Sequence, residues 1–316
     1  MVNLKTTPPP REWGVWIVPE ALEHTAHRLT HQPFPTPGTD MQTFPTGIPA
    51  RDWVTYIGLS VSVLACLWPP EGQDQWTIDL NHQRFTDAQA VFGCFTRGLK
   101  HHARGYDLQP LLEWTTADAQ LFFRGHGHFQ LIPERAERLR NIATVLTRDW
   151  GGSFWHLLEH AQFDAEAMVL LLCDHMPGYR DEATTAQGSL VFAKLARLAT
   201  ALMSQRLQQP LEKLDRFPVY PDYMIPKVFR HWGIFRYDPD LAHVIDSRQS
   251  VPKDSPWEYG LRWGTIHAAE QLRLKLEARG RAIDGPALDF FLWHAGVLGP
   301  EAQAMGEHHR TITLAY

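Results

Sequence analysis

The sequence predicts a mainly α fold with at most a small β element. Two observations carry that prediction: apolar residues recur at helical spacing in several segments that open on recognisable caps, and strand-like alternation is thin. Residues 32–51 hold five prolines among Thr and Gly, too rigid and polar for a helix or a central strand, so a long ordered loop is expected there. Residues 76–85 alternate around Asn81-His82 and read as a hairpin. Thr86-Asp87-Ala88-Gln89 reads as a capping box, whose hydroxyl and amide would satisfy open backbone donors of a helix from 87 to about 102. Pro133 suits a first helical position, and Leu139, Ile142, Ala143, Leu146 and Trp150 follow on one stripe. Val191, Leu195, Leu198 and Leu202 predict a helix over roughly 189–206. Leu261, Ala268, Leu272 and Leu276 predict one over about 256–279, ended by Gly280. The segment 311–316, TITLAY, has the pattern of an edge strand.

Composition narrows the function. The 316 residues are 44% hydrophobic, ample for one well-buried core or two smaller ones. Thirty Lys+Arg against 35 Asp+Glu leave a net charge of -5, without the basic excess that holds a polynucleotide through its phosphates, so no polynucleotide binding is expected. No apolar run approaches the roughly 20 residues of a membrane span, and the start, MVNLKTTPPPREW, has no signal-peptide core; neither membrane association nor secretion is expected, and a cytoplasmic location is. Cys66, Cys94 and Cys173 are too few and too widely spaced for a disulfide framework, and read as buried thiols. The unusual counts are 12 Trp and 17 His, which suit either a stacking pocket or a metal site.

His156-Leu157-Leu158-Glu159-His160 matches the H-x-x-E-H pattern of inverted zinc peptidases. A zinc-dependent hydrolase using His156, Glu159 and His160 is therefore one reading. Without a third ligand or a second shell in view, the plainer one is a helix whose histidines sit near the surface, with no metal. His126, His128, His308 and His309 read as solvated loop and terminal residues.

Residues 217–237, FPVYPDYMIPKVFRHWGIFRY, hold the most distinctive carboxylate. With Pro226 opening a helix, Asp222 lies just ahead of the positive dipole end, which keeps it ionised. Flanked by Tyr220, Tyr223 and Trp232, such an anion suits stabilisation of a ribosyl oxocarbenium ion or attack at C1′, while aromatic faces stack on a base. An ordinary cap Asp would look the same locally.

A collinear series of segments resembles the queuosine salvage family, the queuosine 5′-phosphate N-glycosidase/hydrolase group. In order they are Asp52-Trp53-Val54, Arg97, Ile132-Pro133-Glu134-Arg135, Gly151-Gly152-Ser153-Phe154, Pro177-Gly178-Tyr179-Arg180-Asp181 and Phe192-Ala193-Lys194. Asp222-Tyr223-Met224-Ile225-Pro226, Glu258 with Arg262, Leu288-Asp289-Phe290-Phe291-Leu292-Trp293, and His309-Arg310 with Tyr316 complete it. The resemblance runs from about residue 20 onward and implies an N-terminal extension over 1–19 and a single hydrolase domain over 20–316. It also implies a compact helical fold related to helix-hairpin-helix DNA glycosylases. The implied activity is hydrolysis of queuosine 5′-monophosphate, or of the nucleoside, to queuine and ribose 5-phosphate or ribose, with no cofactor. A non-catalytic binder of queuine-type bases is the other reading of the same resemblance.

On that resemblance Asp222 is the catalytic carboxylate, Asp289 and Phe290 contact the base, and His31 contacts ligand. Tyr220 and Tyr223 frame the pocket, and Lys194, Arg197 or Lys227 hold the 5′-phosphate. The chain departs from the family pattern at several points. Pro221 and Lys227 flank the Asp222 segment where the family has Ala and Gln, and Lys194-Leu195 replaces a Lys-Arg pair. His294 stands where an acidic residue follows the family's Trp and is taken as a further substrate contact.

Overall fold

The computed structural model describes residues 1–35, 41–102 and 105–316, and among them it is mainly helical. The helices are α1 (Pro19–Leu29), α2 (Ala50–Val61), α3 (Asp87–Gly98), α4 (Gln109–Leu112), α5 (Thr116–Phe122), α6 (Ile132–Asp149), α7 (Phe154–His160), α8 (Ala165–His175), α9 (Lys194–Ser204), α10 (Met224–His231), α11 (Pro239–Asp246), α12 (Pro256–Glu277) and α13 (Gly285–Val297). The strands form antiparallel pairs: β1 (Val15–Ile17) with β8 (Phe235–Tyr237), β2 (Thr77–Leu80) with β3 (Gln83–Thr86), β4 (His101–His102) with β5 (Gly105–Tyr106), and β6 (Glu182–Thr185) with β7 (Gly188–Val191). No helix among the described residues is long and apolar enough to cross a membrane.

Two cores account for most of the packing. The first gathers α2, α3, α6, α7, α8 and α9, and the second gathers α1, α10, α12 and α13 with the β1–β8 pair. Of the predicted stripes, Leu139, Ile142, Ala143 and Leu146 of α6 and Leu261, Ala268, Leu272 and Leu276 of α12 are fully buried, while Trp150, expected on the α6 stripe, lies just past the helix and is half-buried. The β2–β3 hairpin turns at Asn81 and His82, both left-handed, as predicted. Cys66 and Cys94 are buried; Cys173 is half-buried. Residues 1–19 pack into the fold: Trp13 and Val15 are buried, and β1 pairs with β8 across the chain.

Other expectations change. Helix α3 starts at Asp87 but ends at Gly98, and no capping box forms, because Thr86 Oγ1 donates to Trp76 O while Gln89 Oε1 accepts from Gln42 N. Residues 189–191 belong to strand β7, so α9 opens only at Lys194. Helix α10 starts at Met224, two residues before Pro226. The 311–316 segment forms no strand; it runs as irregular chain with Thr311, Thr313, Leu314 and Tyr316 buried. His309 is buried and His308 half-buried against Trp68 and Tyr223, not solvated. Of the loop expected over 32–51, residues 36–40 lie outside the described residues. On either side Phe34 stacks on Phe291 and Phe44 packs against Trp53 and Phe92, and α2 takes its last two residues.

Arg135 of α6 is wholly buried. Its guanidinium lies 3.9 Å from the Phe129 ring centre and donates to the carbonyls of Gln130, Val63, Ala65 and Cys66. These bonds satisfy the irregular chain that leaves α2, which has no ladder of its own. Arg135→Met, close in length but without donors, should lower unfolding free energy by about 3 kcal/mol or more in chemical denaturation. A loss under 1 kcal/mol would contradict this role.

Candidate active site

A cavity of about 100 Å³ lies where the two cores meet. Its walls are mostly apolar. Phe44, Leu64, Leu67, Ala88 and Phe92 come from the first core and its approach, Leu198 and Leu202 from α9, and Phe290, Trp293 and Val297 from α13. Into this setting the fold places Asp87, Lys194, Tyr220, Asp222, Tyr223 and Asp289.

Asp222 is held by the start of α10. Its Oδ1 accepts from the backbone N–H groups of Met224 (2.8 Å) and Ile225 (3.0 Å), while Oδ2 has no hydrogen-bond donor among the described residues. One oxygen therefore caps the helix and the other remains for the cavity. Asp289, on α13, accepts from Tyr220 N at 2.7 Å. This approach depends on Gly285, where a Cβ would stand 1.9 Å from the Phe217 carbonyl oxygen. Lys194 begins α9 and is buried, its backbone N–H donating to Asp181 Oδ2 at 3.1 Å.

Behind these groups lies a buried ion pair. Arg262 of α12 donates to both oxygens of Asp181 at 2.9 and 2.5 Å and to Pro221 O at 3.4 Å. Its guanidinium sits 4.1 Å from the ring centres of Phe192 and Tyr316. Asp181 also accepts the backbone N–H groups of Phe192 and Ala193 on its carbonyl. The pair thus fixes both the residue before Asp222 and the turn that presents Lys194.

The charges are strongly coupled. Burial raises the Asp222 carboxyl, opposed by the Lys194 charge and by the Ile225 and Met224 N–H groups. Burial raises Asp289 much further, and the nearby Asp222 charge adds to it. Burial lowers the Lys194 ammonium, opposed by both carboxylates. Two carboxyls sharing one ammonium in a dry site do not both ionise readily, and the second backbone N–H at Asp222 favours the charge there over Asp289. Burial also pushes the Asp87 carboxyl up to about 6.

Of the residues singled out in the sequence, Asp222, Asp289, Lys194, Tyr220, Tyr223 and Phe290 meet at this cavity. His31 is exposed just beyond α1 and does not line it. Lys227 Nζ turns to the carbonyls of Gly296 and Ala302, and His294 lies one turn from Phe290 without lining the wall. Arg197 donates to Phe192 O, and Trp232 packs near Arg28 and Phe291. Lys194 is the only Lys or Arg among the described lining residues, and Trp293 the only Trp; no His appears there. Sequence reasoning missed Asp87, Phe92, Leu198 and Leu202 as cavity residues. Only their later coincidence on one wall marks them.

The H-x-x-E-H segment forms most of α7. His156 has Trp150 O at one ring nitrogen (2.7 Å) and the Arg51 guanidinium at the other (3.1 Å), while Glu159 accepts from the Trp155 indole (2.6 Å). His160 is exposed beside Trp150. Among the described residues no group of three or more His, Cys, Asp or Glu is placed to hold a metal ion.

Known proteins resemble the chain along most of its length. It is 28% identical over 307 residues to a queuosine 5′-phosphate N-glycosylase/hydrolase from Sphaerobacter thermophilus, covering 96% of this chain and 93% of that one. It is 25% identical over 247 residues to a protein of the same name from Dictyostelium discoideum, covering 75% of each chain. A third of that name, from Mus musculus, is 23% identical over 197 residues, 59% of this chain and 58% of its own. The model of the family described as queuosine salvage protein matches residues 49–316, which include every polar group of the cavity, and the chain belongs to that family.

Proposed function

We propose that the protein is an N-ribosyl hydrolase that cleaves queuosine 5′-phosphate, or the nucleoside, into queuine and ribose 5-phosphate or ribose. The observation that carries this reading is Asp222 on the wall of an aromatic cavity, one oxygen fixed by the α10 start and the other without a donor among the described residues. The names borne by the relatives supply the substrate class. In this reading the domain over 20–316 has the helix-hairpin-helix glycosylase type of fold, acts in the cytoplasm on a free nucleotide and needs no cofactor.

The chemistry follows from the charges. As the bond between C1′ and the base nitrogen breaks, its electron pair moves into the base and positive charge grows on the ribose. Ionised Asp222 stabilises that charge in a medium of low dielectric, then accepts a proton from the attacking water. A 7-deaza base has no N7 to protonate, so help for the leaving group must come at another atom. Asp289, raised by burial and by Asp222, supports this as a protonated carboxyl able to donate to the base. Phe290 and Trp293 offer faces for stacking, with ring centres 6.0 Å apart. Lys194 favours the ionised form of Asp222 against the opposing effect of burial and stands as the cation available to the ribose phosphate end.

Asp222→Asn keeps an oxygen to accept from Met224 and Ile225, so the helix start survives while the anion is lost. Release of queuine from queuosine 5′-phosphate, followed by mass spectrometry, should fall about 10³-fold with ligand affinity largely kept. Turnover near the wild-type rate would overturn the assignment. A zinc hydrolase built on His156, Glu159 and His160 would instead lose activity to a chelator, whereas the glycosidase keeps it. Lys194→Met removes the cation that lowers both carboxyls, so Asp222 and Asp289 should titrate at higher pH in carboxyl ¹³C spectra, and the acid limb of kcat/KM should move the same way. An unchanged or lower titration would contradict the coupling.

A further inference from the structure

We propose that Asp87 selects substrates whose base carries a cationic amine on its side arm. The proposal rests on the glycosidase reading and specifies which part of the ligand lies at the α3 wall. Asp87 opens α3 and lines the cavity beside Ala88 and Phe92, on a different element from Asp222, ahead of α10, and from Asp289, on α13. It lies close enough to Tyr223 for its charge to raise that phenol.

Three observations make it more than a helix-start acid. Its φ of +49° lies in the left-handed region that residues with a side chain rarely adopt, at a helix start that Thr86 does not cap. Its carboxyl interacts with the Thr86 side chain, but no Lys or Arg is among the groups that set its ionisation. Asp222, by contrast, has Lys194 and Arg262, and Asp289 has Lys194. Among the described lining residues, three carboxyls therefore face one ammonium.

A ligand amine placed at the α3 wall would give Asp87 a cation of its own. The queuine arm attaches through a methylene to a secondary amine, which is protonated in neutral water; a plain 7-deazaguanine offers no such charge. A carboxylate on this wall, where Lys194 is the only Lys or Arg among the described lining residues, gains a charge-assisted hydrogen bond when that ammonium arrives. The oxocarbenium charge at Asp222 lies at the ribose end, so the two demands fall on different acids.

The test compares kcat/KM for queuosine 5′-phosphate and 7-deazaguanosine 5′-phosphate in the wild type, Asp87→Asn and Asp87→Gly. The preference for the amine-bearing substrate should shrink by about tenfold or more in both variants. Asp87→Gly should melt no lower than the wild type, because glycine takes a positive φ without strain. Equal losses on both substrates, or no loss on either, would overturn the proposal. If the wild type releases base from neither nucleotide, the glycosidase reading fails. Calorimetric binding of queuine and 7-deazaguanine then tests Asp87 separately, with a tenfold loss of queuine preference expected in Asp87→Asn and an unchanged preference overturning it.

Discussion

The buried ion pair between Asp181 and Arg262 is the constraint on which the site depends. Side chains of both are almost fully buried, at 6% and 3% exposure, where removing either partner of such a pair typically costs about 3–5 kcal/mol. The pair holds because every element around it supplies a partner. Arg262 lies between the faces of Phe192 and Tyr316 and donates to Pro221 O, while Asp181 accepts the Lys194 N–H on its side chain and two more N–H groups on its carbonyl. Residues far apart in sequence are thereby brought to one place: the approach to β6, the start of α9, the turn before α10, the middle of α12 and the 311–316 segment.

What that frame delivers is an unequal sharing of charge. Asp222, Asp289 and Lys194 stand in an apolar cavity where desolvation makes each charge costly and each pairing strong. Among the described residues two backbone N–H groups favour the anion at Asp222, and one reaches Asp289. The difference favours the anion at Asp222 over one at Asp289. The overall net charge of -5 says little about this; the decisive balance is among Asp87, Lys194, Asp222 and Asp289 on the cavity wall.

The sequence made the fold legible where a helix buries one stripe in a core. The stripes of α6 and α12 are read correctly because local periodicity and burial coincide. Helix α9 opens about five residues later than its apolar spacing predicts, since the β6–β7 pairing that takes residues 188–191 is tertiary information. Its half-buried Leu198 and Leu202 follow the same periodicity as core residues yet face the cavity, and spacing cannot separate those cases. In TITLAY the alternation is real, but its inward residues are covered by packing without a strand partner. Asp222 and Asp289 stood out through the collinear family resemblance; locally, each resembles a cap. Asp87 was hidden inside an apparent capping box, because a positive φ at a non-glycine residue leaves no mark in sequence. The excess of Trp proved mostly structural, exemplified by buried Trp53, Trp76 and Trp263.

The central claim is that water replaces the base at C1′ of a queuosine nucleotide. Turnover of queuosine 5′-phosphate in H₂¹⁸O, sampled before the sugar aldehyde exchanges and trapped by borohydride reduction, reads this directly. The account predicts one ¹⁸O on C1 of the reduced sugar phosphate and none in queuine or in the phosphate group. Label in released inorganic phosphate with the base still attached, or no release of queuine, would contradict it.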